Sequence, residues 1–189
     1  MSYRDAGEFS GAEWALGYAV GAARCDWNRN RGHRDTFGHY DVAGGDRLAS
    51  HVVGALGELA VAERWALEWR PLWLKLDKTR PDVGNLHVRA TARADGCLLL
   101  HDDDPDDGPF VCVIVEGRRW RIVGWRFARD GKHWNRRRPS PNGLPQSFFL
   151  PQPELLPVWA CPARELDDEE VEAWARREFG RLERPCAPA

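Results

Sequence analysis

Leu86-His87-Val88-Arg89-Ala90-Thr91 alternates apolar and polar side chains with a period of two. That is the pattern of a β-strand, where successive side chains leave opposite faces of the sheet. Leu86, Val88 and Ala90 are expected to face a core, with His87, Arg89 and Thr91 together on the other face. Arg80-Pro81-Asp82-Val83-Gly84 precedes the strand and sets an acidic residue at its entrance. Upstream, Val52-Val53-Gly54-Ala55-Leu56-Gly57-Glu58-Leu59-Ala60-Val61-Ala62 is an apolar helical run with one carboxylate. It belongs to a helix predicted over 46–68 that is apolar nearly all round. Such a helix is buried on both sides, which places Glu58 in an enclosed position.

Outward from this centre, a helix is predicted over 10–28, with Ser10 as N-cap and Glu13 as its capping-box partner. Residues 28–45 are polar, Gly-rich and basic at their start, with Arg29 and Arg31, and read as a loop. Strands are expected at 72–76, 86–92, 97–100, 110–115 and 120–127. Between the third and fourth of these, His101-Asp102-Asp103-Asp104-Pro105-Asp106-Asp107-Gly108 lacks the spacing of an EF-hand and reads as a solvated hairpin loop. Residues 129–147 form a basic, Pro-rich stretch that includes Trp134 and Arg136-Arg137-Arg138. A last helix is expected at 167–182, capped by Asp167, with acids in its first turn and arginines in its last, as the helix dipole favours.

A chain of 189 residues is sized for one domain with a substantial core. Its 43% hydrophobic and 30% charged content is that of an ordinary globular protein. No apolar run approaches the roughly 20 residues that cross a bilayer, and the first residues carry no signal-peptide pattern. The five cysteines, Cys25, Cys97, Cys112, Cys161 and Cys186, are odd in number and contain no CxxC pair. They make neither a zinc framework nor a disulfide scaffold, and a reducing cytoplasm is the expected setting. Cys97 and Cys112 lie in apolar runs and are expected as core thiols. The net charge of −2 argues against indiscriminate polyanion binding. The 27 basic residues are arginines except for Lys75, Lys78 and Lys132, and arginine suits paired contacts to phosphate.

A helix carboxylate, an aspartate before a strand and paired polar residues on that strand resemble the metal site of PD-(D/E)xK nucleases. The wider order of motifs is similar to that of a family of small phage and prophage proteins of this type. Its members read GELAVA, DVG, VR-T, V-GW and F-PQ--L-P. Here these are Gly57 to Ala62, Asp82 to Gly84, Val88 to Thr91, Val123-Gly124-Trp125, and Phe149 to Pro157. The resemblance spans roughly residues 10–158. It implies an α/β, restriction endonuclease-like mixed sheet flanked by helices, in a domain over 1–158, with an added C-terminal helical extension over 159–189. The helix usual between the later core strands of that fold is not evident here; further strands stand in its place.

The resemblance also implies a metal-dependent nuclease that hydrolyses DNA phosphodiester bonds. Such chemistry needs charge neutralisation and an activated water, which Mg2+ or Mn2+ supplies. Asp82 and Glu58 would be the metal ligands, and Asp82, His87, Arg89 and Glu58 the catalytic set. Arg89 stands where the family has lysine; it stabilises charge but stays protonated and is no base. His87 stands where Glu or Asp is expected, and imidazole is a poor Mg2+ ligand. Three readings of His87 stay open: an altered metal preference or general base, weak activity, or lost catalysis with binding retained. The last makes the chain an inactive relative that binds DNA or a host protein. Beside these, Asp82 is also an ordinary turn residue and Glu58 an ordinary helix carboxylate. DNA contact is assigned to Arg136, Arg137, Arg138, Arg29 and Arg31, with Trp134 offering a stacking surface. A protein partner on the C-terminal helix and a homo-oligomer are further possibilities; a membrane is not.

Overall fold

The computed structural model describes residues 4–30, 47–71, 80–133, 135, 137–138, 147–167 and 169–173. The first helix, α1 (Gly11–Asn30), starts on the predicted capping box. The Ser10 N–H donates to Glu13 Oε2 at 2.7 Å, and the Glu13 N–H donates to Ser10 Oγ at 3.2 Å. The second, α2 (Arg47–Trp65), ends on Ala66, which takes a left-handed conformation at φ 53°. The Leu67 N–H then reaches back to the Ala62 carbonyl at 3.0 Å, which closes the helix as a Schellman turn. No described helix is long and apolar enough to cross a membrane.

The fold is α/β. A four-stranded mixed sheet has the order β1-β5-β4-β2, where β1 is Ala6–Glu8, β2 His87–Thr91, β4 Pro109–Glu116 and β5 Arg119–Phe127. Strand β2 runs parallel to β4, and β5 is antiparallel to both β4 and β1. A three-stranded antiparallel sheet, β3-β7-β6, is built from β3 (Leu98–His101), β6 (Arg137–Arg138) and β7 (Ser147–Leu150). Central strand β4 is a nearly unbroken apolar run because it is covered on both faces. Val111, Val113 and Val115 point into the core shared with α2, while Phe110 and Cys112 point into a second core under β3 and β7. The pairs Cys112↔Gly124 and Val113↔Ile122 leave Val123 as an extra residue, a β-bulge in β5.

Helix α2 lies between α1 and the sheet, as its all-round apolar surface implies. Glycines make the approach close. A Cβ on Gly21 would come 2.5 Å from Val52 Cα, and one on Gly57 would come 2.5 Å from Ala90 Cβ. Ala90 and Val88 are therefore the side chains of β2 that α2 covers.

One expectation changes here. The acidic run 101–108 does not close a hairpin, since β3 and β4 belong to different sheets. Nor is it merely solvated, because so many like charges need counter-charges at hand. Lys132 Nζ donates to the Asp102 carbonyl at 3.2 Å, to the Asp104 carbonyl and to Asp106 Oδ1 at 2.8 Å, while Arg129 pairs with Asp107 and Arg137 with Asp102. The segment after Pro157 also packs back on the fold, with Val158, Cys161 and Ala163 against the main core. Asn85 clasps it, donating from N–H to the Arg164 carbonyl at 3.0 Å and accepting the Arg164 N–H on Oδ1 at 2.9 Å. The expected strand at 72–76 falls outside the described residues. Of the C-terminal helix, 169–173 are described as helical. Its cap is the expected Asp167, whose Oδ1 accepts the Glu170 N–H at 2.8 Å. The Arg164 fork and the Asp167 N–H hold the Glu170 carboxyl down at about 2.

Cys112 is buried as expected, and Cys97 is half-buried. Burial pushes the thiols of Cys112 and Cys161 up to about 12, because a low dielectric disfavours the thiolate. The thiolate is the reactive species. A disulfide reagent at about pH 8, near the free thiol pKa, should leave these two cysteines unmodified in the native chain. They should react once denaturant is added. Mass mapping of the labelled native protein checks this, and fast native labelling of Cys112 would contradict the packing described.

Candidate functional site

Glu58 sits in the fourth turn of α2, next to Gly57, and is only 7% exposed. Its carboxylate is not an idle surface charge. Arg24 of α1 meets it fork to fork, Nη1 to Oε1 at 2.7 Å and Nη2 to Oε2 at 2.8 Å. The Trp69 indole N–H adds a third donor, to Oε2 at 3.2 Å. Burial opposes the charge on Arg24, yet the Glu58 carboxylate, with Asp82 behind it, outweighs burial and holds its pKa above the usual arginine value.

Asp82 performs the turn role weighed for it. Its N–H donates to the Leu86 carbonyl at 2.7 Å, and its Oδ2 accepts the Val88 N–H at 2.7 Å. Gly84, at φ +52°, makes the tight reversal between them. The carboxylate fixes the entrance of β2. A recess beside Asp82, bordered by Glu68, Arg70, Arg80 and Glu165, holds about 60 Å³. Small-molecule sites are roughly 300–1,000 Å³, so the recess among the described residues is smaller than such a site.

His87 and Arg89 share a face, as the alternation requires, but it is the face turned away from α2. His87 is 2% exposed and stacks on Phe110 with ring centroids 4.5 Å apart. The Arg89 guanidinium lies 4.9 Å from the centre of the same ring. It donates from Nη2 to Asp104 Oδ1 at 2.6 Å and from Nε to the Leu99 carbonyl at 3.2 Å. Asp104 is itself buried and also accepts the His101 N–H at 2.9 Å. The four residues assigned to catalysis are therefore divided. Glu58 is bound to Arg24 on the α2 side, Asp82 caps the entrance of β2, and His87 and Arg89 are packed into the second core.

The arrangement does not fit the Mg2+ or Mn2+ ion that the resemblance implies. Both oxygens of Glu58 are engaged by one guanidinium, and that guanidinium brings a positive charge to the place where the ion's charge would sit. Among the described residues, no group of three or more His, Cys, Asp or Glu side chains is placed to hold a metal ion. Of the arginines assigned to DNA, Arg137 pairs with Asp102 at 3.0 Å and Arg29 lies 3.5 Å from Asp26. Arg31 and Arg136 lie outside the described residues, and Arg138 is described only as a backbone member of β6.

Arg24, Trp69 and Asp104 were not among the residues singled out from sequence. Arg24 carried a usable signal: it is the one cation between Gly11 and Cys25 in a mostly apolar helix, as Glu58 is the one acid in the apolar middle of the next. Two such isolated opposite charges on neighbouring buried helices point to each other. No family model, no curated protein and no solved structure matches this chain.

Proposed function

We propose that this chain is a non-catalytic protein on a PD-(D/E)xK-like scaffold, of the phage or prophage type, that works by binding a macromolecular partner. The observation that carries this reading is that Glu58 lies on the α2 side of the sheet while His87 and Arg89 are packed on its other face. A general base or charge stabiliser must reach the reacting atoms within hydrogen-bond distance, and His87 and Arg89 are spent on Phe110, Leu99 and Asp104 instead. Of the partners the resemblance offers, a host protein is favoured over DNA. The described arginines assigned to phosphate already stand beside carboxylates, and the net charge of −2 adds no general attraction to a polyanion.

A plasmid-nicking assay with Mg2+, Mn2+ and Zn2+ tests the first half. Wild type should leave supercoiled plasmid intact, and so should Asp82→Ala and His87→Glu. Nicking by wild type that disappears in Asp82→Ala would restore the metal-dependent nuclease. Fluorescence anisotropy with duplex DNA tests the second half. Binding that weakens steeply with salt would reassign the partner to DNA, because each phosphate contact releases counterions.

A further inference from the structure

We infer that the Arg24 guanidinium is a tethered substitute for a divalent cation at Glu58, a counter-ion supplied permanently by α1. The inference rests on three geometric facts. The guanidinium engages both oxygens of Glu58 in parallel bonds of 2.7 and 2.8 Å, which is the bidentate geometry that satisfies a carboxylate most fully. The pair is enclosed: side-chain exposures are 17% for Arg24 and 9% for Glu58. The Trp69 indole closes the Oε2 side, so an arriving ion would have to displace a charged donor and a neutral one together.

Asp82, whose Oδ2 is bonded to the Val88 N–H, adds a negative charge that acts on Arg24 through space. A guanidinium and a divalent ion differ in what they ask of these acids. Mg2+ and Mn2+ take carboxylate oxygens in an octahedral shell and keep several waters. Arginine is planar, never loses its charge and needs no water in place. An arginine at this point therefore makes the contact between α1 and α2 independent of metal supply and of pH across the physiological range. It also takes the lone pairs that a hydrolytic ion would use.

The test measures cation binding, not cleavage or partner binding, so it can fail while the non-catalytic reading stands. Thermal unfolding of the full chain is followed with and without millimolar Mn2+, and free Mn2+ is counted by its paramagnetic resonance signal. Wild type should bind no Mn2+ through Glu58 and should melt at the same temperature in both buffers. Arg24→Ala should melt lower, regain part of that loss with Mn2+, and bind about one ion per chain, the single cation vacancy left when one guanidinium is removed. The double variant Arg24→Ala/Glu58→Gln should lose the regain. Arg24→Gln, which keeps more of the side chain's packing, serves if Arg24→Ala does not fold. Wild-type Mn2+ binding that vanishes in Glu58→Gln would overturn the inference, since ion and guanidinium would then coexist. So would an Arg24 variant that folds but gains nothing from Mn2+, because the pair would then be an ion pair and no more.

Discussion

Glu58→Leu should destabilise the chain by about 3–5 kcal/mol, the usual cost of leaving one member of a buried ion pair without the other. Arg24 would keep its charge in a site from which water is largely excluded, and the Trp69 N–H would lose its acceptor at the same time. A domain of this size is stable by roughly 5–15 kcal/mol, so the single change removes a large part of what holds α1 on α2. The double change Arg24→Met/Glu58→Leu should recover most of the loss, because an apolar pair of similar volume avoids the desolvation of two charges. Urea unfolding of the two single variants and the double variant, read as midpoint shifts at constant slope, gives the coupling energy directly. A loss under about 1 kcal/mol for the single variants would mean that the pair behaves as a solvated surface bridge, and the enclosed site would have to be redrawn.

The second large effect is expected at Phe110. It is fully buried at the start of β4 and forms the floor on which both His87 and Arg89 rest. Phe110→Ala should cost about 3–5 kcal/mol through lost transfer energy and the cavity left behind. Part of that loss has a separate origin: without the ring, the Arg89–Asp104 pair loses an aromatic face worth about 0.5–2 kcal/mol. Phe110→Leu keeps most of the volume and none of the π-face, so the difference between the two variants separates packing from ring contact. Urea unfolding measures both. A Phe110→Ala variant within about 1 kcal/mol of wild type would show that the second core closes over the gap, and that His87 is not held there by stacking.

Much of the fold was legible. The Ser10–Glu13 capping box, the Asp167 cap, the all-round apolar α2, the alternation along β2 and the strands β4 and β5 all follow from local pattern. The sorting of β3 into a different sheet did not, because Leu98-Leu99-Leu100 reads as a strand whatever its partner. The candidate site was half legible for a related reason. Period two fixes which residues of β2 share a face, and His87 and Arg89 do. It does not say which face the helix will cover. That choice is made by Gly57 meeting Ala90, a contact between segments with no local signature. Arg24 and Glu58 are likewise 34 positions apart, beyond the reach of any helical spacing rule.

Strand β1 carries a consequence for the order of events during synthesis. Its three residues pair with β5, Ala6 opposite Arg121, and the backbone of the adjoining, wholly buried Phe9 donates to the Arg118 carbonyl and accepts the Arg118 guanidinium. On a ribosome making about 5–20 residues per second, the partner of this first strand emerges on the order of ten seconds after it. Helices α1 and α2 can meet early through a short-range contact, but the beginning of the chain has to wait for Arg118–Arg121. A ladder closed across so long a loop forms late. Strand β1 is therefore expected to act as the latch of the fold and not its seed, since the Arg118 carbonyl that the Phe9 N–H binds does not exist before β5 is made.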